Sequence, residues 1–348
     1  MSYHEYISNA TLQYLMQRYP DHTPAWLETF QGEVHRIEEM WGVTVKGYER
    51  NSRFGTILYG HSDIYGEVAV KIVPWFSPRL KGEVYCYQHL PYREMCPLYA
   101  VDEKLGAMLL KYVPAAEASD PARKEAALAA LYTQRRIASA EDEIHVPRYE
   151  AVLTEVADNA MRVIGETGDP GYAHLADAIA RAREAMARFD GAERCLIHGD
   201  AHAFNMLEEG SSCLMIDPLG YVAPFAFEWA RYLGTAMKTA DIPEDEFRAM
   251  VLRLTQDHVP LTDALAAFAI DTTLRACNTF IEGNTYEEIC HSADWAMRAW
   301  RYFAALSHTL DLEATPMSFI EKAKAFYADM RRDVPASYKS QDTEEPFD

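Results

Sequence analysis

The segment His198-Gly199-Asp200-Ala201-His202-Ala203-Phe204-Asn205 places four polar side chains within eight positions, and Asp217 follows twelve positions after Asn205. Between them lies the apolar run Cys213-Leu214-Met215-Ile216. A short apolar run bounded by turn-forming residues suits a buried strand. The chain therefore has to fold so that such a strand delivers Asp217 near the loop carrying Asp200 and Asn205. Taken singly, each of these residues reads as a turn residue or a helix cap; it is their joint spacing that constrains the fold.

The remaining pattern is strands first and helices after. Residues 1–40 are expected to be helical, with Trp26, Phe30, Val34 and Ile37 at helical spacing. Strand-like runs follow at Val43-Thr44-Val45, Thr56-Ile57-Leu58-Tyr59 and Val68-Ala69-Val70-Lys71-Ile72-Val73, separated by the turn segments Asn51–Gly55 and Asp63–Gly66. A helix is expected to carry Glu83 to about Leu90, and Ala107–Val113 reads as another buried strand. Pro114-Ala115-Ala116 breaks the pattern. From Pro121 onward helices are expected over 121–139, 148–165 and 172–189, then, after a strand-and-loop region at 194–218, over 224–239, 244–257, 262–282, 286–307 and 316–332. This order is that of an α+β fold. The expected organisation is an N-terminal lobe over 1–113 with a small antiparallel sheet, a larger and mainly helical lobe over 114–335, and a polar tail over 336–348.

Oxygen ligands near an acidic loop point to one chemistry in particular. Phosphoryl transfer from a nucleotide needs a group that orients the acceptor hydroxyl and oxygen donors that hold Mg²⁺ against the phosphates. The protein-kinase catalytic loop has an Asp and an Asn five positions apart, with a second, metal-binding Asp later in the chain. Asp200, Asn205 and Asp217 stand in that order and at that spacing. Asp200 is the candidate catalytic base; a carboxylate is weakly basic at neutral pH, so its main task would be positioning. Asn205 and Asp217 are candidate Mg²⁺ ligands, since Mg²⁺ takes oxygen donors and keeps several waters. Lys71 ends Val68-Ala69-Val70-Lys71, close to the kinase strand V-A-I-K, and is the candidate contact to the α- and β-phosphates, with Glu83 as its partner. Asn51–Gly55 is the nearest equivalent of a phosphate-covering loop; it has one glycine, and Ser52 is its candidate phosphate contact. No Walker A sequence occurs, which argues against a P-loop nucleotidase.

The motif H-G-D-x-H-x-x-N followed by I-D-P resembles the aminoglycoside and choline kinase-like phosphotransferases. Ile216-Asp217-Pro218-Leu219-Gly220 with Phe227-Glu228-Trp229-Ala230-Arg231 is similar to the streptomycin 6-kinase/hydroxyurea phosphotransferase branch. The resemblance spans roughly residues 40–310. It implies a protein kinase-like bilobal fold, ATP (or GTP) bound between the lobes, and transfer of the γ-phosphoryl group to a hydroxyl of a small molecule, an antibiotic or a metabolite such as a sugar, amino alcohol or nucleoside. It also implies that His198 and His202 brace the catalytic loop, and that Leu110-Lys111-Tyr112-Val113 forms the hinge, with the backbone of Lys111 and Val113 facing the adenine edge. Ala203-Phe204 stand where relatives often carry Pro-Gly. Gly199 stands where protein kinases carry an Arg that pairs with activation-loop phosphate, which points away from phosphorylation control. Glu228 would anchor Arg231 or the catalytic loop.

Two other readings compete. His198-Gly199-Asp200-Ala201-His202 also spells H-x-D-x-H, a possible zinc or iron hydrolase, but the remaining histidines form no cluster to complete such a site. A kinase fold that binds nucleotide without catalysis is the other. The formal net charge of −20 disfavours nonspecific nucleic-acid binding. It suits a soluble surface or a cationic acceptor, with Glu282, Glu287, Glu288 and Asp294 as candidate contacts beside the aromatic stretch Trp295–Phe303. No apolar stretch reaches membrane-spanning length, the start carries no secretory pattern, and the six cysteines form no C-x-x-C pair. A cytoplasmic protein with reduced thiols is expected.

Overall fold

The computed structural model describes residues 6–50, 52–114, 119–239, 242–282 and 286–311. Asn51, Ala115 and Ala116, the expected helix at 316–332 and the expected tail at 336–348 lie outside them. The chain divides into two compact units, Met1–Phe303 and Ala304–Asp348, and everything below concerns the first.

The chain opens with α1 (Asn9–Arg18) and α2 (Thr23–Trp41). The Ser8 hydroxyl caps α1 by accepting from the Thr11 amide at 2.9 Å, and Gly42, at φ +58°, ends α2. Strands β1 (Val43–Tyr48), β2 (Thr56–Ser62) and β3 (Gly66–Ile72) follow, then α3 (Arg79–His89), β4 (Leu98–Asp102) and β5 (Ala107–Lys111). The five strands form one antiparallel sheet in the order β1-β2-β3-β5-β4.

The two-residue period of β3 decides where its lysine goes. Val68, Val70 and Ile72 face one way and pack with Trp26, Phe30, Val34 and Ile37 of α2. Ala69, Lys71 and Val73 face the other way, where Leu80 and Val84 of α3 close a second apolar cluster. On α3, Leu80, Glu83, Val84 and Tyr87 share the buried stripe at i, i+3, i+4 and i+7. Strand β4 is absent from the sequence expectation. It follows Pro97, lies at the sheet edge and has no fully buried position, so it lacks the alternation that marks half-buried strands.

The rest of the unit is α4 (Pro121–Gln134), α5 (Asp142–His145), α6 (Tyr149–Thr167), α7 (Ala173–Met186), β6 (Arg194–Ile197), β7 (Met206–Glu209), β8 (Ser212–Met215), β9 (Tyr221–Pro224), α8 (Ala226–Thr239), α9 (Glu244–Thr255), α10 (Leu261–Ile281) and the start of α11 (Tyr286–Asp311). The fold class is α+β, as expected. Helix α10 is the centre of the helical part: it is buried along most of its length and packs against α6, α7, α8 and α9. The expected helix at 121–139 stops at Gln134, because Ile137 is drawn into a bridge with Cys195.

Two antiparallel ribbons frame the motif segment. β6 pairs with β9, and β7 pairs with β8. The loop 198–205 therefore leaves one ribbon and enters the other, while 216–220 makes the return crossing. All six cysteines are free, and among the described residues no helix is long and apolar enough to cross a membrane.

Candidate active site

The loop after β6 is fixed first through its backbone. The amides of Leu219 and Gly220 both donate to the His198 carbonyl at 3.0 Å, and the Ile216 amide donates to the Asn205 carbonyl at 3.0 Å. These bonds lash the two crossings together. From α8, the buried Glu228 accepts from the His198 amide at 2.7 Å and from the Gly199 amide, and Tyr92 donates to the same carboxylate oxygen at 3.1 Å. Of the roles open to Glu228, which are an anchor for Arg231, an anchor for the loop or an acceptor contact, its full burial and its bond to the His198 amide fit the loop anchor, and Arg231 pairs with Asp200 instead.

His198 is fully buried beneath the loop. Its Nε2 donates to the Ile216 carbonyl at 3.0 Å while its Nδ1 accepts from the Asp200 amide at 3.2 Å. One ring nitrogen donating and the other accepting requires a neutral imidazole. Burial agrees, pushing its pKa down to about 4. His202 accepts at Nδ1 from the Phe204 amide at 3.2 Å, closing the single 3₁₀ turn Ala203–Asn205. Both histidines are thus hydrogen-bonded to the backbone of the two crossings.

Gly199 has φ +74°, and a Cβ there would stand 2.4 Å from the Tyr221 ring. Both the left-handed backbone and the ring exclude a larger residue. That explains the missing arginine at this position. Gly199→Ala is expected to cost about 1–3 kcal/mol; a thermal melt unchanged from wild type would refute the packing described.

Asp200 sits at the centre of the loop. Asn205 donates from Nδ2 to the Asp200 carbonyl at 3.0 Å and to Oδ2 at 3.2 Å. This leaves Asn205 Oδ1 with no protein donor among the described residues. Arg231 Nε donates to Asp200 Oδ1 at 2.8 Å, and Arg275 Nη2 lies 3.6 Å from the same oxygen. Burial works to raise the Asp200 pKa, but the guanidiniums of Arg275 and Arg231 outweigh it, and the carboxyl is held below its usual range.

Asp217 follows β8 with φ +58°, a conformation uncommon outside glycine but tolerated by Asp. Its amide donates to the Tyr87 hydroxyl at 3.1 Å. Lys71 Nζ stands 2.7 Å from Glu83 Oε1 and 2.9 Å from Asp217 Oδ1. Burial alone would lower the Lys71 pKa, yet the two carboxylates raise it, so the ammonium stays charged. A strand, a helix and a loop far apart in sequence thus meet at one ammonium group.

The other predicted residues make their side-chain contacts outside this cluster. The Ser52 hydroxyl donates to the Gly55 carbonyl, and its own carbonyl accepts from Ser8 and Thr11 of the α1 region, so the turn is pinned by α1. The Lys111 side chain pairs with Glu209 at 2.6 Å, and Val113 is buried. Glu282 pairs with Arg53 at 3.1 Å, and Asp294 with His174 at 2.7 Å. Tyr87, Tyr92 and Arg275 were not anticipated. Arg275 carried a signal: within Leu261–Ile281 the only charged residues are Asp263, Asp271 and Arg275, and the last two are spaced i, i+4 on a buried helix.

No protein-family model and no curated protein matches the chain. Solved structures do match its fold. The choline kinase LicA from Streptococcus pneumoniae aligns with TM-score 0.58 at 13% identity, covering 80% of this chain and 99% of the other. A choline/ethanolamine kinase family protein from Mesorhizobium loti aligns with TM-score 0.56 at 14% identity, over 78% of this chain and 94% of the other. The aminoglycoside phosphotransferase APH(2'')-IIa, in a ternary complex with streptomycin and ATP, aligns with TM-score 0.53 at 14% identity, over 76% and 95%. The chain has the kinase-like fold shared by the aminoglycoside phosphotransferases and the choline/ethanolamine kinases.

Proposed function

We propose that the protein is a small-molecule kinase that moves the γ-phosphoryl group of ATP, or GTP, to an acceptor hydroxyl with Mg²⁺. The convergence of Lys71, Glu83 and Asp217 beside the Asp200–Asn205 loop carries this reading. Fold neighbours solved with ADP and with ATP support a nucleotide site in this fold. The donor set suits Mg²⁺: Asn205 offers an amide oxygen and Asp217 a carboxylate, hard oxygen ligands beside which phosphates complete the shell. When bound, Mg²⁺ neutralises phosphate charge and orients the transferring group.

The chain's own residues do the rest. Lys71, held by Glu83, contacts the α- and β-phosphates. The hinge at Leu110–Val113 meets the nucleobase through the backbone of Val113 rather than that of Lys111, whose amide already donates to the Pro97 carbonyl at 3.0 Å and whose carbonyl accepts from the Cys96 thiol at 3.4 Å. Ser52 is the weaker contact, because its hydroxyl proton already has an acceptor. Asp200 aims the acceptor hydroxyl. The oxygen–phosphorus bond forms to the acceptor, the bond from the γ-phosphorus to the bridging oxygen breaks, ADP leaves, and the hydroxyl proton passes to Asp200 or solvent. With a carboxylate held acidic by two arginines, placement contributes more than proton removal.

In a coupled ADP-release assay, Lys71→Ala is expected to lower kcat/KM for the nucleotide about 10²-fold or more, and EDTA to abolish turnover until Mg²⁺ is restored. Metal-independent turnover would refute the assignment. The acceptor class separates an antibiotic kinase from a metabolic one: a shift in drug susceptibility on expression marks the first, and its absence across a broad panel the second. Nucleotide binding without transfer to any acceptor would mark a silent kinase fold.

A further inference from the structure

The two arginines at Asp200 are not equivalent. Arg275 of α10 lies 3.6 Å from Asp200 and 3.6 Å from Asp271, donates to the Gly199 carbonyl at 3.1 Å, and has its Nε shut off from solvent. Its charge is shared between two carboxylates and its place is fixed by the loop backbone. Arg231 of α8 meets Asp200 through Nε alone. Its terminal nitrogens have no hydrogen-bond partner among the described residues, and 22% of its side chain stays open. A guanidinium thus presents unused donors beside the carboxylate that aims the acceptor hydroxyl.

The acidic groups around Asp200, and two of the four carboxylates named for a cationic acceptor, are otherwise engaged. Asp200 meets both arginines, and Asp271 accepts from Tyr149 and pairs with Arg275. Glu228 is fully buried behind the loop. Glu282 and Asp294 pair with Arg53 and His174. A polycation at Asp200 would face the like charges of Arg231 and Arg275, at a cost in a partly desolvated site. An oxyanion would meet donors in the planar geometry that guanidinium offers to carboxylate and phosphate.

We propose that Arg231 is a specificity-determining residue that binds an anionic group, a carboxylate or a phosphate, on the acceptor, close to the hydroxyl to be phosphorylated. The assignment rests on the kinase reading above. It commits the acceptor to the anionic class and sets it apart from the cationic one that the net charge suggested.

The test uses matched acceptors with the full chain. Glycerate, glycerol 3-phosphate, glycerol and 2-amino-1,3-propanediol vary charge on one scaffold; glucuronate, glucose 6-phosphate, glucose and glucosamine do so on another. ADP release is measured for each, and binding of each in the presence of Mg²⁺ and ADP is measured by calorimetry. An anionic member is expected to bind at least about tenfold tighter than its neutral and cationic counterparts, the scale of one charge-assisted contact. The carboxylate and phosphate arms tell the two oxyanions apart. Arg231→Met should remove that preference, raising the KM of the anionic member about tenfold or more relative to that of the neutral member, on top of any fall in kcat that loss of the Asp200 contact brings to both. Arg231→Lys, which keeps the charge without the planar fork, should restore part of it and shows that the effect is not misfolding. No anionic preference in either readout overturns the assignment, as does an Arg231→Met variant that retains the preference or loses only kcat, equally for all members. The kinase reading stands or falls separately, on Mg²⁺-nucleotide binding and on turnover with any member.

Discussion

Asp200→Ala is expected to lower kcat for phosphoryl transfer by about 10³-fold, within the span that a positioned acid–base group commonly supplies, while nucleotide binding persists. The carboxylate makes no contact with Lys71, whose partners are Glu83 and Asp217, so the KM for the nucleotide should move little. The same change removes the partner of Arg231 and one of the two carboxylate partners of Arg275. Stability should therefore fall by about 1–3 kcal/mol, less than the full cost of orphaning a buried charge because Asp271 still faces Arg275. Asp200→Asn keeps the shape and isolates the loss of charge. Single-turnover ADP formation and a denaturant melt on both variants read the two effects apart. A kcat within a few-fold of wild type in both would end the kinase assignment.

Glu228→Ala should be the most damaging single change to the scaffold. The carboxylate is fully buried and accepts from the His198 and Gly199 amides and from Tyr92. Its removal leaves three donors without an acceptor and a cavity under the loop, a cost of about 3–5 kcal/mol. Activity should fall with it, because the Asp200 amide hangs from His198. Burial pushes the Glu228 pKa up to about 7 from an ordinary value of 4.5. Between those values the folded chain binds more protons at this group than the unfolded chain does. Its contribution to stability is thus complete below about pH 4.5 and is lost as pH rises through 7. Glu228→Gln cannot titrate and should flatten that part of the pH–stability curve, measured by denaturant midpoints from pH 4.5 to 8. An unchanged slope would mean that Glu228 stays ionised throughout.

Much of the scaffold is legible in the sequence, because it rests on local periodicity. The helical spacing of Trp26, Phe30, Val34 and Ile37, the alternation through Val68–Val73 and the apolar run before Asp217 each gave the element observed. The i, i+3, i+4, i+7 stripe of α3 contains Glu83 among Leu80, Val84 and Tyr87, and a carboxylate on a buried stripe has to find a cation. Strand β4 was missed because an edge strand with half-buried residues has no period to read.

The sequence by itself determined which residue types stand at which spacing: a lysine on an inner strand, a glutamate on the following helix, and Asp200, Asn205 and Asp217 around two short ribbons. Within each of these two groups the separations are short, so pattern carries them, whereas Lys71 meets Asp217 across 146 positions. Only the tertiary structure decided the pairings. Arg231 reaches Asp200 across 31 positions, Arg275 reaches Gly199 across 76, and Arg53 reaches Glu282 across 229. At such separations the partners leave no periodic trace. The choice among the many Asp, Glu and Arg side chains is made by which helix faces pack against one another, and here by α8 and α10 turning their arginines onto one carboxylate.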